Sequence, residues 1–221
     1  DGMVVALHLG DGTPRAAARY VRTEKWLEEE AAGRAIYRTF GTAFAGDRLR
    51  RGRALASPAN VSVQPFAGRL LVFGEQGLPY ELDPWDLETR GRFDFGCLNE
   101  ATPFAAHPAL DPESGEMVNF GVSFAADRPV LHLFHFARAG DLTARLRVEL
   151  PHPYSMHDFS LTRRFAVFVL SPYLLDVAPM FASGATVADC LHWRPELGTR
   201  LALVDRASGE LAASIPIGEG Y

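Results

Sequence analysis

Seven histidines, His8, His107, His132, His135, His152, His157 and His192, carry the widest chemical repertoire in this sequence, and spacing sets two of them apart. His107 in PFAAHPALDP and His157 in YSMHDFSL lie 50 residues apart, and each falls at the start of the first strand of a four-stranded unit. Imidazole is the commonest metal ligand in proteins, so two rings at one depth of a repeating fold can share an ion. A lone histidine at a strand end is as a rule a hydrogen-bonded structural residue; the shared register is what lifts this pair above that reading. Glu75 follows the apolar run RLLVFG and precedes QGLP. A carboxylate there can accept the ring N–H of a metal-bound histidine, fix its tautomer and free the other nitrogen for the metal; the plainer reading is a solvated turn residue.

The remaining histidines form weaker combinations. His132 and His135 are three apart in one run, where a period of two sends them to opposite faces. His152 sits between two prolines, and His8 and His192 have no companion. The chain has no GxSxG elbow, P-loop, GxGxxG after a strand, or HExxH. The basic cluster RLRRGR at 48–53 lacks the interleaved aromatic residues that stack nucleic-acid bases and reads as a solvated loop.

The elements that must position these residues are mostly short strands between Asp, Gly, Pro and Ser turns, so the expected class is all-β. Strands are predicted at 61–65, 69–74, 80–83, 117–124, 130–136, 146–150, 165–170, 200–204 and 211–215. Turns are predicted at 83–91, 111–116, 137–141 and 205–210. Residues 24–38, EKWLEEEAAGRAIYR, have the composition of a short exposed helix. The strands group in fours over 59–95, 106–150 and 157–217, and four-stranded units recurring every 40–50 residues or so are the pattern of a β-propeller. Three units are too few to close a ring, and no repeated motif supports the grouping beyond spacing and turn chemistry. Residues 172–193, PYLLDVAPMFASGATVADCLHW, form an apolar insertion in the third unit. The plain expectation there is a loop and helix on the rim, and the sharper one a substrate mouth or a peripheral membrane contact.

Composition bounds the function. The 221 residues are 48% hydrophobic and 22% charged, with a net charge of −5, which excludes a disordered or collagenous chain and offers nothing general to nucleic acid. No uninterrupted apolar stretch approaches the roughly 18 residues of a spanning helix, and no basic leader precedes the first apolar run. Cys97 and Cys190 have no near companions, so they are expected to be buried thiols of a reducing, cytoplasmic compartment. Both ends read as cut, the first inside a strand-like run and the second at GEGY, so a fragment of a larger domain, residues 1–221, is the expected organisation.

The runs ANVSVQPFAGRLLVFGEQGLPYELDPWDLETRGRFDF, PFAAHPALDPESGEMVNFG and LPHPYSMHDFSLTRRFAVFVLSPY together resemble the carotenoid cleavage oxygenase family. That family includes carotenoid dioxygenases, lignostilbene dioxygenases and the retinoid isomerase of retinal pigment epithelium. The resemblance covers nearly the whole chain. It implies a seven-bladed propeller, of which three to four blades are present, with an axial non-haem Fe(II) held by four histidines and oriented by glutamates. It implies His107 and His157 as two ligands and Glu75 as one orienting carboxylate, with the other two ligands falling after GTRLALVDRASGELAASIPIGEGY.

The implied reaction is insertion of both atoms of dioxygen across one C=C bond of a carotenoid or apocarotenoid, with two carbonyl products. This piece alone is expected to be inactive. Phe104, Phe159 and Tyr173 are candidate lining for the substrate, with core packing the plainer reading of each. Stilbene-cleaving members tend to carry Lys immediately before the glutamate, where this chain has Gly74, which weakens but does not remove a stilbene substrate. A non-catalytic propeller binding module is the rival from another class. A sugar-processing propeller ranks lower, because no pair of carboxylates suits it.

Overall fold

The computed structural model describes residues 1–10, 12–75, 77–124 and 128–218; Gln76 and the last three residues of GEGY therefore lie outside it. The chain opens with a ribbon of β1 (Met3–His8) and β2 (Arg15–Tyr20), then α1 (Glu24–Ala32) and a small hairpin of β3 (Arg50–Arg51) and β4 (Ala54–Leu55). Three four-stranded antiparallel meanders follow. Sheet I comprises β5 (Ser62–Phe66), β6 (Arg69–Phe73), β7 (Tyr80–Leu82) and β8 (Thr89–Arg92); sheet II comprises β9 (Ala109–Leu110), β10 (Met117–Phe124), β11 (Pro129–Phe136) and β12 (Leu142–Glu149). Sheet III begins with β13 (Ser160–Leu161) and β14 (Phe165–Leu170). It is interrupted by β15 (Tyr173–Leu175), α2 (Ala178–Ala182) and β16 (Leu191–Trp193), and completed by β17 (Thr199–Asp205) and β18 (Leu211–Gly218). The all-β expectation and the grouping in fours hold.

Several boundaries differ. The helix ends at Ala32 rather than running to 38, because Gly33 takes the left-handed conformation (φ 63°) and its N–H caps the last turn. At the other end the Thr23 hydroxyl accepts the Trp26 N–H. The expected turn at 83–91 closes by Glu88, and Thr89 already starts β8. Strand β12 begins at Leu142, four residues early, since its alternation of half-buried and exposed residues carries no apolar run at that end. The basic cluster is a hairpin rather than a loop. Cys97 is exposed rather than buried, while Cys190 is buried. Among the described residues no helix is long and apolar enough to cross a membrane.

The sheets stack face to face, and side-chain alternation divides each inner strand between two cores. From β6, Leu71 and Phe73 enter the core between sheets I and II, while Val72 faces the core beneath the β1–β2 ribbon. From β11, Leu131 and Leu133 meet sheet III while Phe134 and Phe136 meet sheet I. The core between sheets II and III holds Phe120, Phe159 and Phe168, with Phe159 and Phe168 stacked at 5.3 Å and Phe120 edge-on to both. Each such side chain stabilises the interface by about 1.5–3 kcal/mol. The two outer faces of the stack are apolar and exposed: Met3, Val5, Leu7 and Tyr20 on the ribbon, and Val169, Leu211, Ile215 and Ile217 on sheet III.

A repeat of geometry appears in three turns that each run from Asp to Glu. In 83–88, 111–116 and 205–210 the leading Asp accepts, through Oδ1, the backbone N–H groups two and three residues on. Its Oδ2 takes an arginine: Arg90, Arg206 and Arg164 respectively. The fifth position is left-handed in all three, Leu87, Gly115 and Gly209, and only the last two are glycine; Leu87 is retained because its side chain fills the core under the ribbon. In a meander the first and third connections share one end, so all three Asp turns lie opposite the end at which β6 finishes and the segments leading into β9 and β13 begin.

Candidate metal centre

That opposite end carries Glu75, His107 and His157. Glu75 directly follows β6, and its backbone is located by Gly74, where a Cβ would lie 2.5 Å from Ser57 Oγ and 3.1 Å from the Ala59 nitrogen. Only glycine lets the chain press against 57–59 there. His107 follows two small buried residues. The Ala105 carbonyl accepts the Asn119 side-chain amide at 2.9 Å, the Ala105 N–H donates to the Phe120 carbonyl at 2.7 Å, and the Ser62 hydroxyl donates to the Ala106 carbonyl. His157 is held between two buried anchors, Tyr154 and Phe159, and the Ser155 N–H donates to the Tyr173 carbonyl at 2.8 Å.

These supports bring the three side chains together. The Nε2 atoms of His107 and His157 lie 3.1 Å apart, with ring centroids at 4.6 Å and planes inclined at 65°. His157 Nδ1 is 2.7 Å from Glu75 Oε1. Among the described residues this is the group of His, Cys, Asp or Glu whose ligand atoms converge, all within 4.8 Å of one another. Desolvation raises the Glu75 carboxyl above its ordinary value, opposed by His157 and His107 and reinforced by Asp158.

The donor set fits a transition-metal ion. Glu75 accepts a hydrogen bond from His157 Nδ1–H, which leaves the Nε2 lone pair pointing at His107. Two imidazoles about 2.1 Å from one ion have nitrogens about 3.0 Å apart in adjacent octahedral positions and about 3.4 Å apart in a tetrahedron. The 3.1 Å separation is close to the octahedral edge; it also suits one N–H···N hydrogen bond in the metal-free protein. Imidazole suits Fe, Zn, Cu and Ni alike, so the identity of the ion does not follow from geometry.

The other sequence candidates go elsewhere. Phe104 is fully buried among Phe95, Phe134 and Phe136, and Phe159 packs on Phe168, so both fill cores rather than an open surface. Tyr173 is exposed on β15, edge-on to Trp193. His132 and His135 point to opposite faces as the period of two requires, His132 to the Ser123 hydroxyl and His135 to Glu116, both buried. His152 is half-buried and edge-on to Tyr154. Sequence reasoning missed Asn119 and Ser62, which hold the His107 segment. Asn119 had a readable signal, a single amide in the otherwise apolar run MVNF.

The family model described as retinal pigment epithelial membrane protein matches residues 1–217. The chain belongs to this family, that of the carotenoid oxygenases. It is 32% identical to apocarotenoid-15,15'-oxygenase of Synechocystis sp. over 232 residues, covering 100% of this chain and 47% of that relative. It is 35% identical to resveratrol cleavage oxygenase 1 of Aspergillus fumigatus over 213 residues, covering 95% and 41%. It is 31% identical to isoeugenol monooxygenase of Pseudomonas nitroreducens over 207 residues, covering 93% and 42%. The chain thus spans less than half the length of these curated relatives. Among solved structures, cobalt-substituted Synechocystis ACO superposes with a TM-score of 0.87 at 31% identity, covering 100% of this chain and 48% of that one.

Proposed function

We propose that residues 1–221 are part of a β-propeller of a non-haem Fe(II) dioxygenase that cleaves one C=C bond of a carotenoid or apocarotenoid into two carbonyl products. The observation that carries this reading is the His107–His157 pair, 3.1 Å apart at Nε2 and oriented by Glu75, in a chain of the carotenoid oxygenase family. The stacked four-stranded sheets with apolar outer faces support the propeller, because each outer face suits a further sheet. A cobalt-substituted relative among the solved neighbours supports a metal at the pair.

In this reading His107 and His157 hold the ion, with two further imidazoles from the rest of the protein. Bound Fe(II) with open positions supplies activation of dioxygen toward an alkene, each alkene carbon ending as a carbonyl. The chain's own residues do the rest. Glu75 keeps His157 in the tautomer whose Nε2 is a ligand, and Asn119 and Ser62 hold the His107 backbone so that its ring needs no rearrangement. Tyr173, exposed on β15, is the remaining aromatic candidate for substrate contact. A carotenoid is favoured over a phenolic stilbene because Gly74 has no room for a side chain, so this position offers no cation beside Glu75 to ionise a phenol. Cys97 and Cys190, which are not paired with each other, suit a cytoplasmic setting. The exposed Phe181 of α2, at 57%, and Phe40, at 63%, support peripheral membrane contact.

The test is turnover by the whole encoded protein, loaded with Fe(II), on an apocarotenoid under ¹⁸O-labelled dioxygen. The expected result is two carbonyl products that both carry label, lost in His107→Ala. Cleavage of a stilbene alone would replace the substrate assignment. Absence of metal and of turnover would leave a propeller binding module.

A further inference from the structure

The two ligand-bearing segments belong to different sheets that meet mainly through apolar packing, which is non-directional and does not by itself set register. A metal site needs its ligands placed to within about 0.2 Å. Among the described residues, one half-buried side chain spans that interface at the end away from the histidines. Arg206, in the turn between β17 and β18, donates through one terminal nitrogen to Asp111 Oδ2 at 2.8 Å and Glu116 Oε2 at 2.7 Å, and through the other to the Thr162 carbonyl at 2.9 Å. Its backbone N–H donates to the Arg164 carbonyl at 2.9 Å, and its side chain is 12% exposed. Glu116 passes the tie on, accepting His135 Nδ1 at 3.0 Å from β11.

The positions gripped are telling. Asp111 closes β9, the short strand that follows His107, and Thr162 closes β13, the short strand that follows His157. Arg206 therefore holds at once the far ends of the two strands that follow the histidines. A planar guanidinium fixes direction as well as distance, which a lysine ammonium does not. Among the described residues the other ion pair between these sheets, Arg163 with Glu113, has both side chains mostly in solvent, at 88% and 75% exposed, and such pairs constrain little.

We propose that Arg206 is a positioning residue for the metal centre: by clamping Asp111, Glu116 and Thr162 it sets the register of the two strands that present His107 and His157. The inference rests on the metal site proposed above.

The experiment compares wild type, Arg206→Lys, Arg163→Ala and His107→Ala in the whole encoded protein. Each is followed by Co(II) affinity in chelator competition, the ligand-field spectrum of the Co(II)-loaded protein, and the melting temperature of the metal-free protein. Arg206→Lys is expected to remain folded, to bind Co(II) about tenfold more weakly, in the range found for groups that orient ligands at a distance, and to show a shifted ligand-field spectrum. Arg163→Ala is expected to match wild type. Should Arg206→Lys fail to fold, the triple variant Asp111→Asn, Glu116→Gln, Arg206→Met, which leaves no charge among the three side chains, takes the same readouts. If His107→Ala weakens Co(II) binding while the Arg206 variant shows wild-type affinity and spectrum, Arg206 is a structural brace only and the inference falls. If His107→Ala leaves Co(II) binding unchanged, the metal site itself is wrong and the inference falls with it.

Discussion

Glu75→Gln separates a metal-orienting carboxylate from a structural one. The carboxylate accepts His157 Nδ1–H at 2.7 Å, a short charge-assisted bond of a kind worth about 1.5–3 kcal/mol. Glu75 is 40% exposed and His157 67% exposed in this chain, so water competes and the lower edge applies. The expected loss is about 1.4 kcal/mol, or tenfold in metal affinity, at the weak end of the roughly 10–100-fold range for carboxylates that orient metal-bound histidines. Stability is expected to move the other way. Desolvation raises the Glu75 carboxyl above its ordinary value, so the native state binds its proton more tightly than the unfolded chain. The charged form therefore costs stability, and that cost appears as pH rises through the raised value. At pH 7 the metal-free variant should melt at or above the wild-type temperature, with the difference closing as the pH is lowered into the carboxylate range. The assay pairs chelator competition for Co(II) or Fe(II) with thermal melts of the metal-free protein at several pH values. Unchanged metal affinity would remove Glu75 from the site, and a metal-free variant that melts several degrees lower would make it a structural prop.

Three further outcomes follow from the packing. Phe168→Ala, which removes the ring stacked on Phe159 and met edge-on by Phe120, should cost about 3–5 kcal/mol in urea denaturation; a loss under 1 kcal/mol would mean the sheet II–III core is not formed as described. Gly121→Ala places a Cβ 2.1 Å from the Pro103 carbonyl oxygen, a backbone clash that should cost about 3 kcal/mol or more, and a variant as stable as wild type would refute that close approach. Burial pushes His132 down to about 4, with Arg145 and Arg147 adding to it. The unfolded chain then binds more protons between about 4 and 6.5, so the stability from this group is present above about 6.5 and lost as pH falls, up to about 3 kcal/mol. His132→Leu should flatten that part of the pH profile, and an equally steep profile would exclude His132 as its source.

What the sequence determined by itself is local and periodic. Alternation and turn chemistry located nine of the twelve strands of the three sheets within a few residues, because a strand with a buried face must repeat every second residue; β8, β9 and β13, two to four residues each, are too short to show a period and were not placed. The 50-residue offset of His107 and His157 was legible because each precedes the first strand of a four-stranded unit. The division of roles between His132 and His135 followed from the same period. What only the tertiary structure decided is everything that depends on how one sheet meets the next. The 3.1 Å approach of the histidines joins side chains from separate sheets, and the Glu75 contact brings in a third. Gly74 looked like a missing side chain in the sequence, and is a glycine because the 57–59 segment occupies the space. Cys97 was read as buried from its residue type, yet it lies in a turn outside the cores. Arg206 is one of many arginines in the sequence, and nothing in its local run distinguishes it. Its three acceptors lie up to 95 residues away in the chain, and a long-range polar contact leaves no periodic trace for sequence reasoning to find.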